Sequence, residues 1–184
     1  MRMNRSESLS LVREHVKKEG NVKHMVGVGA VMHHLAERLG EDPELWEVVG
    51  ILHDIDFEIC KGADDHTLKA KEILEGRVDD GIIETIMAHN HEHTNIMVDT
   101  KIKKALIASD AVSGLIVACA LVMPSKKLAD VRPESLIKKF NSKDFAKGVS
   151  RERIMMCNEL EVPLEDFLKI ALEGMRSRSE ELGL

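Results

Sequence analysis

The sequence contains very few aromatic side chains and no tyrosine. Its 184 residues include one tryptophan and four phenylalanines, so aromatic residues make up only 3% of the chain. Proteins that bind single-stranded nucleic acid commonly stack the bases on aromatic rings. The composition therefore argues against a surface that stacks successive bases.

An excess of positive charge is also absent. The chain has 26 lysines and arginines against 32 aspartates and glutamates, which gives a formal net charge of -6 and a sequence pI of about 5.9. A surface for polymeric nucleic acid needs a positive field, which here would have to come from a local patch. We therefore expect no polymeric nucleic acid among the partners.

Cysteine is scarce and shows no pairing pattern. Cys60, Cys119 and Cys157 are scattered and odd in number, and none lies in a C-x-x-C motif. Disulfide frameworks in small secreted proteins are built from an even number of cysteines at regular spacings. The pattern predicts reduced, buried thiols in a cytoplasmic protein.

Long apolar runs are missing as well. The longest, "AVSGLIVACALVM" at residues 111–123, has 13 residues and is followed by Pro124. A helix that crosses a bilayer needs about 20 apolar residues. The N-terminal "MRMNRSESLS" is basic but leads into no apolar segment of the signal-peptide kind. We expect no membrane association and a buried core helix at 111–123.

Helical periodicity is what the sequence has in abundance. Hydrophobic residues make up 43% of the chain and charged residues 32%, a balance typical of a folded protein with a sizeable core. Apolar residues recur at helical spacing, and no segment shows the alternation of a strand. Six helices are predicted before residue 124, in "SESLSLVREHVKKEG", "NVKHMVGVGAVMHHLAERLG", "DPELWEVVGILHDIDF", "DHTLKAKEILEG", "DDGIIETIMAHN" and "KIKKALIASDAVSGLIVACALVM". This pattern predicts an all-α fold.

Glycine, aspartate and proline mark several predicted helix ends. Gly20 is predicted to end the first helix and Gly40 the second. Asp42 is a suitable N-cap for the third helix because Pro43 follows at its first position. Pro163 is predicted to open the last helix.

The chain is most simply a single domain over residues 1–184. After residue 124 it changes to short helical pieces rich in lysine and arginine, without an internal repeat or a low-complexity linker. Residues from about 125 to 184 are therefore predicted to form a helical extension that packs on the first six helices. The oligomeric state, including a homo-oligomer, stays open.

Polar side chains occupy positions that helical spacing places on buried faces. His24 lies four residues before Val28 and seven before Val31, so it shares their apolar stripe. His53 and Asp54 follow the apolar "GIL" of the third helix. Neighbouring helical positions diverge by about 100°, so both side chains can flank one point near the inner face.

Three further residues of this kind follow on later helices. His66 opens a predicted helix and lies four residues before Ala70 on its apolar side. His89 lies seven residues after Ile82 and continues the buried stripe of its helix. Asp110 lies within the most hydrophobic helix, where an isolated carboxylate would be costly to ionise.

The six residues are more informative together than singly. A single histidine on an apolar face is usually a hydrogen-bonded core residue. Six ionisable groups that face one interior would bring a large desolvation cost without cations. We therefore predict a metal site formed by His24, His53, Asp54, His66, His89 and Asp110. The mixed nitrogen and oxygen set favours one or two divalent transition-metal ions (Mn, Fe, Ni, Co or Zn) over magnesium.

Other polar residues are predicted to lie at the rim or in solvent. The fifth predicted helix ends, past its last inward position, in Asn90, His91, Glu92 and His93. His93 is predicted to be a solvated loop residue, and His91 to contact substrate at the rim. Most lysines and arginines between residues 126 and 153 are expected to face solvent, with Lys127 as a predicted substrate contact.

The order of these residues resembles the HD-domain superfamily of metal-dependent phosphohydrolases. The resemblance rests on His24, on the doublet His53-Asp54 within "GILHDID" and on Asp110 within "IASDAVSG", and it covers residues of about 20 to 115. It implies an all-α HD-type helical bundle. The segments "DDHTLKAKEIL" and "IETIMAHN" look like those in which dinuclear members have two extra histidine ligands. That likeness implies a second metal bound by His66 and His89.

The sequence departs from familiar HD patterns at two points. The doublet is followed by Ile55-Asp56 where a common variant has Ile-Gly, so no role of that glycine is transferred. The subfamily that cleaves cyclic dinucleotides is marked by a Gly-Tyr-Pro element, which a chain without tyrosine cannot contain.

The resemblance and the residue chemistry together predict a metal-dependent phosphohydrolase, either a phosphomonoesterase or a phosphodiesterase. Its expected substrate is a nucleotide or another small phosphorylated metabolite, attacked by a metal-activated water. Asp54 is expected to bridge two ions and to be the catalytic residue, with the water oriented either by Asp54 or by a group at the rim. The expected ligand sets are His24, His53 and Asp110 for the first ion, and His66 and His89 for the second.

Two other functions stay open at this point. Some HD-fold proteins resemble this constellation but are di-iron oxygenases that activate dioxygen on a polyol or a phosphonate. The same residues would also suit a non-catalytic interaction module that holds a coordinatively closed structural ion. Oxygen uptake separates the first alternative from hydrolysis, and an exchangeable coordinated water separates the second.

Overall fold

Helices account for all regular secondary structure in the part of the chain that the computed structural model describes, residues 3–184. The predicted all-α class is therefore confirmed. The α-helices are α1 Arg5–His15, α2 Glu19–Leu39, α3 Pro43–Leu52, α4 Leu68–Leu74, α5 Asp80–Ala88, α6 His91–Thr94, α7 Lys101–Leu121, α8 Pro133–Asn141, α9 Arg151–Met155, α10 Leu164–Arg176 and α11 Ser179–Leu182. Short 3-10 helices lie at Leu128–Asp130 and Met156–Leu160.

The ends of α2 and α3 follow from local chemistry as predicted. Gly40 has φ 69° and closes α2 in the left-handed region, where glycine costs little. Asp42 caps α3 because its side chain accepts a hydrogen bond from Leu45 N, and Pro43 occupies the first turn. The turn between the two helices is short, so α2 and α3 pack as neighbours.

Other predicted boundaries were wrong. Gly20 does not end α1, because α1 stops at His15 and Gly20 lies in the first turn of α2. The chain between these helices is extended, and Lys17 N and Lys18 N donate to the Glu58 carboxylate. His66 does not open a helix, because α4 begins only at Leu68.

Two smaller differences concern later helices. The sequence predicted six helices before residue 124, but residues 3–123 contain seven, because the four-residue α6 follows α5. Its last turn ends at Asn95, which has φ 57° in the left-handed region. Pro163 lies directly before α10 as its N-cap and is not the first helical residue.

Helices α2 and α3 touch through two glycines. A Cβ on Gly50 would lie 2.7 Å from Gly29 Cα, and one on Gly29 would lie 2.8 Å from the Ile51 side chain. The two backbones therefore meet with no side chain between them. This crossing brings His24 of α2 close to His53, which follows Gly50 by three residues.

We expect Gly50→Ala to destabilise the protein by about 1–3 kcal/mol, because the added methyl group would force α2 and α3 apart. Urea unfolding followed by circular dichroism measures the change. Gly81→Ala is the matched control, since a Cβ at Gly81 would meet nothing within 4 Å. The control should be neutral or stabilising by up to about 1 kcal/mol. Equal stability of the two variants would contradict the close crossing.

Helix α7 runs through the centre of the fold. It is the one helix among residues 3–184 that is long and apolar enough to cross a membrane. However, 67% of its most apolar 18-residue stretch is buried inside the protein. Its buried side chains include Leu106, Leu115 and Ile116. The stretch 111–123 is thus largely core helix, as predicted, although Leu121 and Val122 at its end are exposed.

The residues after 124 pack on the earlier helices. Gly174 of α10 lies so close to α2 that a Cβ there would stand 2.7 Å from Ala30 O. Glu47 of α3, 5% exposed, accepts hydrogen bonds from Arg5 and Arg178 and so links both ends of the described chain. Apolar residues from Leu11 to Leu182 form one buried cluster. The single domain over 1–184 stays a prediction.

Two arginines of this region have structural partners. Arg151 donates hydrogen bonds to the carbonyl oxygens of Lys139, Phe140, Ser142, Phe145, Ala146 and Val149. Arg176 donates to the carbonyl oxygens of Leu128, Ala129 and Val131. Both guanidinium groups hold irregular segments in place and are already satisfied.

Candidate metal centre

The six predicted ligand residues come from five parts of the fold. His24 lies on α2 and Asp110 on α7, each inside its helix. His53 directly follows α3 and keeps helical dihedral angles, with Asp54 next to it in the following turn. His89 directly follows α5, and His66 lies in the turn before α4.

Asp54 stands between two pairs of imidazoles. Its Oδ2 lies 3.6 Å from His24 Nε2 and 3.4 Å from His53 Nε2. Its Oδ1 lies 3.4 Å from His66 Nε2 and 3.6 Å from His89 Nε2. Each carboxylate oxygen therefore faces a different pair of nitrogens, as in a bridging ligand.

Asp110 completes one side of this arrangement. Its Oδ1 lies 3.1 Å from His24 Nε2 and 3.7 Å from His53 Nε2. Ligand atoms of His24, His53 and Asp110 lie within 4.8 Å of one another, as do those of His53, Asp54 and His89. His66 joins the second side, with its Nε2 3.4 Å from His89 Nε2. The structure thus brings all six predicted residues together, while their role as ligands stays a prediction.

All four imidazoles are oriented by contacts at the nitrogen that faces away from the centre. His53 Nδ1 lies 2.8 Å from Gly50 O, and His89 Nδ1 lies 3.2 Å from Ile86 O. His66 Nδ1 lies 2.9 Å from Asp56 Oδ1, and His24 Nδ1 lies 3.4 Å from Ser113 Oγ. Metal-binding histidines typically donate their second ring N–H in this way, which leaves Nε2 free for the ion.

One buried nitrogen supports a cation at this place. His53 is fully buried, and among residues 3–184 its Nε2 has no hydrogen-bond partner. An unsatisfied polar atom in the interior is costly, and native proteins rarely tolerate one without water or an ion. The donor set of imidazole nitrogens and carboxylate oxygens fits a divalent transition metal.

The carboxylates of the cluster are held in the ionised form. Burial opposes their charge, but the neighbouring imidazoles outweigh it and keep the pKa values of Asp54 and Asp110 well below the usual range. Asp54 and Asp110 in turn raise the pKa of His53 against the effect of its burial. Both carboxylates therefore stay ionised at neutral pH, and protonated imidazoles supply positive charge that balances them; a metal ion would displace those protons and take over this role.

The two histidines near Asp54 Oδ1 differ from each other. Burial disfavours a charged His66, but Asp54 and Asp56 prevail and raise its pKa to about 9. Burial lowers the pKa of His89 to about 4, so this ring is neutral at neutral pH. A neutral imidazole offers a lone pair, which is the form that binds metal ions.

The cluster is most exposed on the side of His24 and Asp110, and less so at His66 and Asp54, whose side chains are 15% and 13% exposed. The side chains of His24 and Asp110 are 33% and 22% exposed, whereas those of His53 and His89 are 0% and 6% exposed. A ligand from solvent therefore has most access on the side of α2 and α7. Structural metal sites are coordinatively closed, and catalytic sites keep a position open to solvent.

Sequence reasoning missed Asp56. This residue is fully buried, its Oδ1 is bonded to His66, and its Oδ2 accepts hydrogen bonds from Thr67 N at 2.6 Å and Ala70 N at 3.0 Å. It thus caps the start of α4 and orients His66 at the same time. The sequence feature that could have identified Asp56 is its position as a second acidic residue directly after Ile55, in the apolar stretch that contains the His53-Asp54 doublet.

Asn90 was predicted to lie past the last inward-facing position of α5, and this prediction was wrong. It is 7% exposed, and its amide donates to Ala63 O and His66 O at 2.7 and 3.0 Å. Asn90 therefore ties the loop of His66 to the end of α5. Its Oδ1 contacts His93 Nδ1, and His93 is exposed as predicted but lies in α6 and not in a loop.

The two predicted substrate contacts lie outside the cluster. His91 is partly buried, its Nδ1 has no partner among residues 3–184, and it lines a cavity of about 390 Å³ with Glu92 and Arg153. Lys127 is exposed and lines a separate surface cavity with Arg176 and Leu184. Neither cavity is lined by any of the six clustered residues.

Replacing Asp56 by asparagine should weaken the second metal site about 10–100-fold, because an amide offers one acceptor oxygen where His66 and the start of α4 need two. Isothermal titration with Mn²⁺ resolves the two sites. Asp64→Asn, at a fully exposed side chain nearby, is the matched control and should bind as the parent does. Unchanged affinity in Asp56→Asn would show that Asp56 does not orient a ligand.

Comparison with protein families agrees with this geometry. A family model described as HD domain matches residues 21–118. All six clustered residues lie inside this range, which also agrees with the motif-bearing core predicted at about 20 to 115. Neither the comparison with curated proteins nor the comparison with solved structures gave a match.

Proposed function

The chain belongs to the HD-domain family, and from this premise we propose that it is a metal-dependent phosphohydrolase that acts on a nucleotide or another small phosphorylated metabolite. The observation that carries the proposal is the position of Asp54, whose two oxygens each face a separate pair of imidazole nitrogens. A carboxylate whose two oxygens face separate donor pairs could bind two divalent ions at once.

The chain's own residues would hold the two ions on either side of Asp54. The proposed first set is His24, His53, Asp110 and Asp54 Oδ2, and the proposed second set is His66, His89 and Asp54 Oδ1. When bound, two divalent ions would acidify a water molecule and offset the charge of phosphoryl oxygens. Their combined charge exceeds that of the two carboxylates, so the site would attract an anion.

The remaining residues would orient and enclose the reaction. His53 and His89 are buried at the base of the cluster and would exclude bulk water from beneath a bound phosphate. His24 and Asp110 lie on the open side, through which the substrate would enter. Asp54 would orient the attacking water, because its carboxylate lies at the centre of the cluster. His91 remains a proposed contact at the rim, and Lys127 a proposed contact in the neighbouring cavity that shares Leu184.

The three cysteines and α7 bear on location. Cys60, Cys119 and Cys157 are free thiols, and most of the apolar window of α7 is buried in the core. Free thiols are typical of reducing compartments. We therefore propose a cytoplasmic enzyme whose partner is a small phosphorylated substrate.

Turnover assays test the proposal directly. The protein is loaded separately with Mn²⁺, Fe²⁺, Co²⁺, Ni²⁺ or Zn²⁺ and offered phosphomonoesters, nucleotides and cyclic dinucleotides, with release of phosphate or of the cleaved ester as the readout. We expect hydrolysis with at least one transition metal and much less with Mg²⁺. Oxygen consumption without hydrolysis by the Fe²⁺ form would instead identify an oxygenase.

A further inference from the structure

A cavity of about 310 Å³ adjoins the open side of the metal centre. Its lining includes His24, which is the most exposed of the six clustered residues. Ser113, which contacts His24 Nδ1, also belongs to the wall. A phosphate held between α2 and α7 would therefore have this space next to it for the rest of the substrate molecule.

The opposite wall of the cavity comes from the C-terminal part of the chain. Met175 of α10, Leu182 of α11 and Leu184 face α2 and α7 across the space. These residues lie outside the matched HD domain, which ends at residue 118. The shape of the cavity thus depends partly on a segment that the HD-domain model does not cover.

Apolar side chains dominate this lining. Val117, Met175, Leu182 and Leu184 contribute the side-chain walls, while the side-chain polar groups come from Ser113, Lys23 and His24. Ser113 Oγ already donates to Asp110 O at 2.8 Å. A nucleobase would lose most of its hydrogen bonds to water here without replacement, which costs free energy for each unpaired group.

Lys23 supplies the one ammonium group of the wall. Its nearest acidic neighbour along α2 is Glu19, with which it interacts electrostatically and not through a close ion pair, and its Nζ lies 2.8 Å from the place where a Cβ of Gly183 would stand. The Lys23 side chain is partly exposed and lines the cavity next to His24, so its ammonium group can contact a ligand in the cavity. A cation at this position is complementary to an anionic phosphate ester.

We infer that this cavity receives the organic part of a phosphomonoester and selects a small alkyl or aryl group over a nucleoside. The inference rests on the proposed phosphohydrolase function and narrows its substrate class. The phosphate would lie at the metal centre, the apolar group would pack on Val117 and Met175, and Lys23 would attract the ester. The C-terminal helices would thereby act as the specificity element.

Binding of alkylphosphonates to the Mn²⁺-saturated protein tests the inference without turnover. Isothermal titration compares methyl-, propyl- and butylphosphonate with adenosine 5′-monophosphate. We expect affinity to rise about fourfold with each methylene group that the cavity accepts, or roughly 60-fold from methyl to butyl. Adenosine 5′-monophosphate should bind more weakly than butylphosphonate.

Substitutions at Val117 locate the effect. Val117→Trp fills the cavity and should reduce the butyl-to-methyl ratio to less than about tenfold. Val117→Thr keeps the size of the side chain but adds a hydroxyl group, so it should lower the butyl-to-methyl ratio more modestly. We expect this variant to fold even if Val117→Trp does not. Val122→Trp, at a position 60% exposed at the end of α7, is the matched control and should keep the parent ratio.

The outcomes separate the two proposals. A butyl-to-methyl ratio near one in the parent protein, or tighter binding of adenosine 5′-monophosphate, would overturn the cavity assignment. An unchanged ratio in both Val117 variants would also overturn it. A high butyl-to-methyl ratio in the parent protein that falls in Val117→Trp would support the cavity assignment, even if no phosphomonoester were hydrolysed with any metal. The absence of hydrolysis would count against the phosphohydrolase function alone.

Discussion

Asp54→Asn is expected to release both metal ions and to lower kcat by about 10³-fold or more. The reason is that Asp54 alone faces both pairs of imidazoles, with oxygen-to-nitrogen distances of 3.4–3.6 Å. The amide is neutral and has one acceptor oxygen, so it cannot bridge two cations as a carboxylate does. Metal content by mass spectrometry and turnover of the best phosphomonoester provide the two readouts.

Two further variants show whether this loss comes from bridging. Asp110→Asn removes a carboxylate that faces only His24 and His53, so it should weaken the first ion and leave the second bound. Asp130→Asn, at an exposed residue remote in sequence from the doublet, should keep both ions and full activity. If Asp54→Asn retained two ions per chain and hydrolysis, Asp54 would not be the bridge.

Saturation with a suitable transition metal should raise the free energy of unfolding by about 4 kcal/mol for each site that it fills, at a free metal concentration 1,000 times the dissociation constant of that site. For a chain of this length each filled site corresponds to a rise in Tm of about 8–16 °C. The physical reason is that a cation would bind the buried His53 Nε2 and the two ionised carboxylates more strongly than the imidazole protons that balance their charge in the metal-free protein.

Thermal unfolding followed by circular dichroism measures this stabilisation. Mn²⁺, Co²⁺ or Ni²⁺ should stabilise the protein far more than the same concentration of Mg²⁺, because imidazole nitrogen suits transition metals. The Asp54→Asn protein should lose most of the gain, whereas Asp130→Asn should keep it. Equal stabilisation by Mg²⁺ and Mn²⁺, or none by either, would contradict a nitrogen-rich metal centre.

Local spacing explains why the sequence was informative about the site. His24 and Asp110 lie inside helices, where every residue is rotated by a fixed angle from its neighbours. The apolar stripes therefore show which side of each helix is buried before the fold is known. His89 follows the same rule at the end of α5, because its dihedral angles remain helical.

Backbone irregularity limited the prediction: His66 reaches the cluster as predicted, but not from the helix that the sequence assigned to it. His66 faces the centre from a turn, and Thr67 next to it has φ 69°, so helical spacing could not describe its direction. Its orientation depends on Asp56, and the surrounding loop is held by Asn90. These contacts join residues 10 to 27 positions apart, and no local pattern encodes them.

The sequence by itself determined the all-α class, the inward positions of the polar residues and the family. Each of these follows from spacing along one helix or from the order of a short motif. Only the tertiary structure decided which oxygen of Asp54 faces which imidazoles, and that the C-terminal helices form a wall beside His24. The physical reason is that these features depend on helix crossings such as that of Gly29 and Gly50, where contact between distant backbones sets the distances.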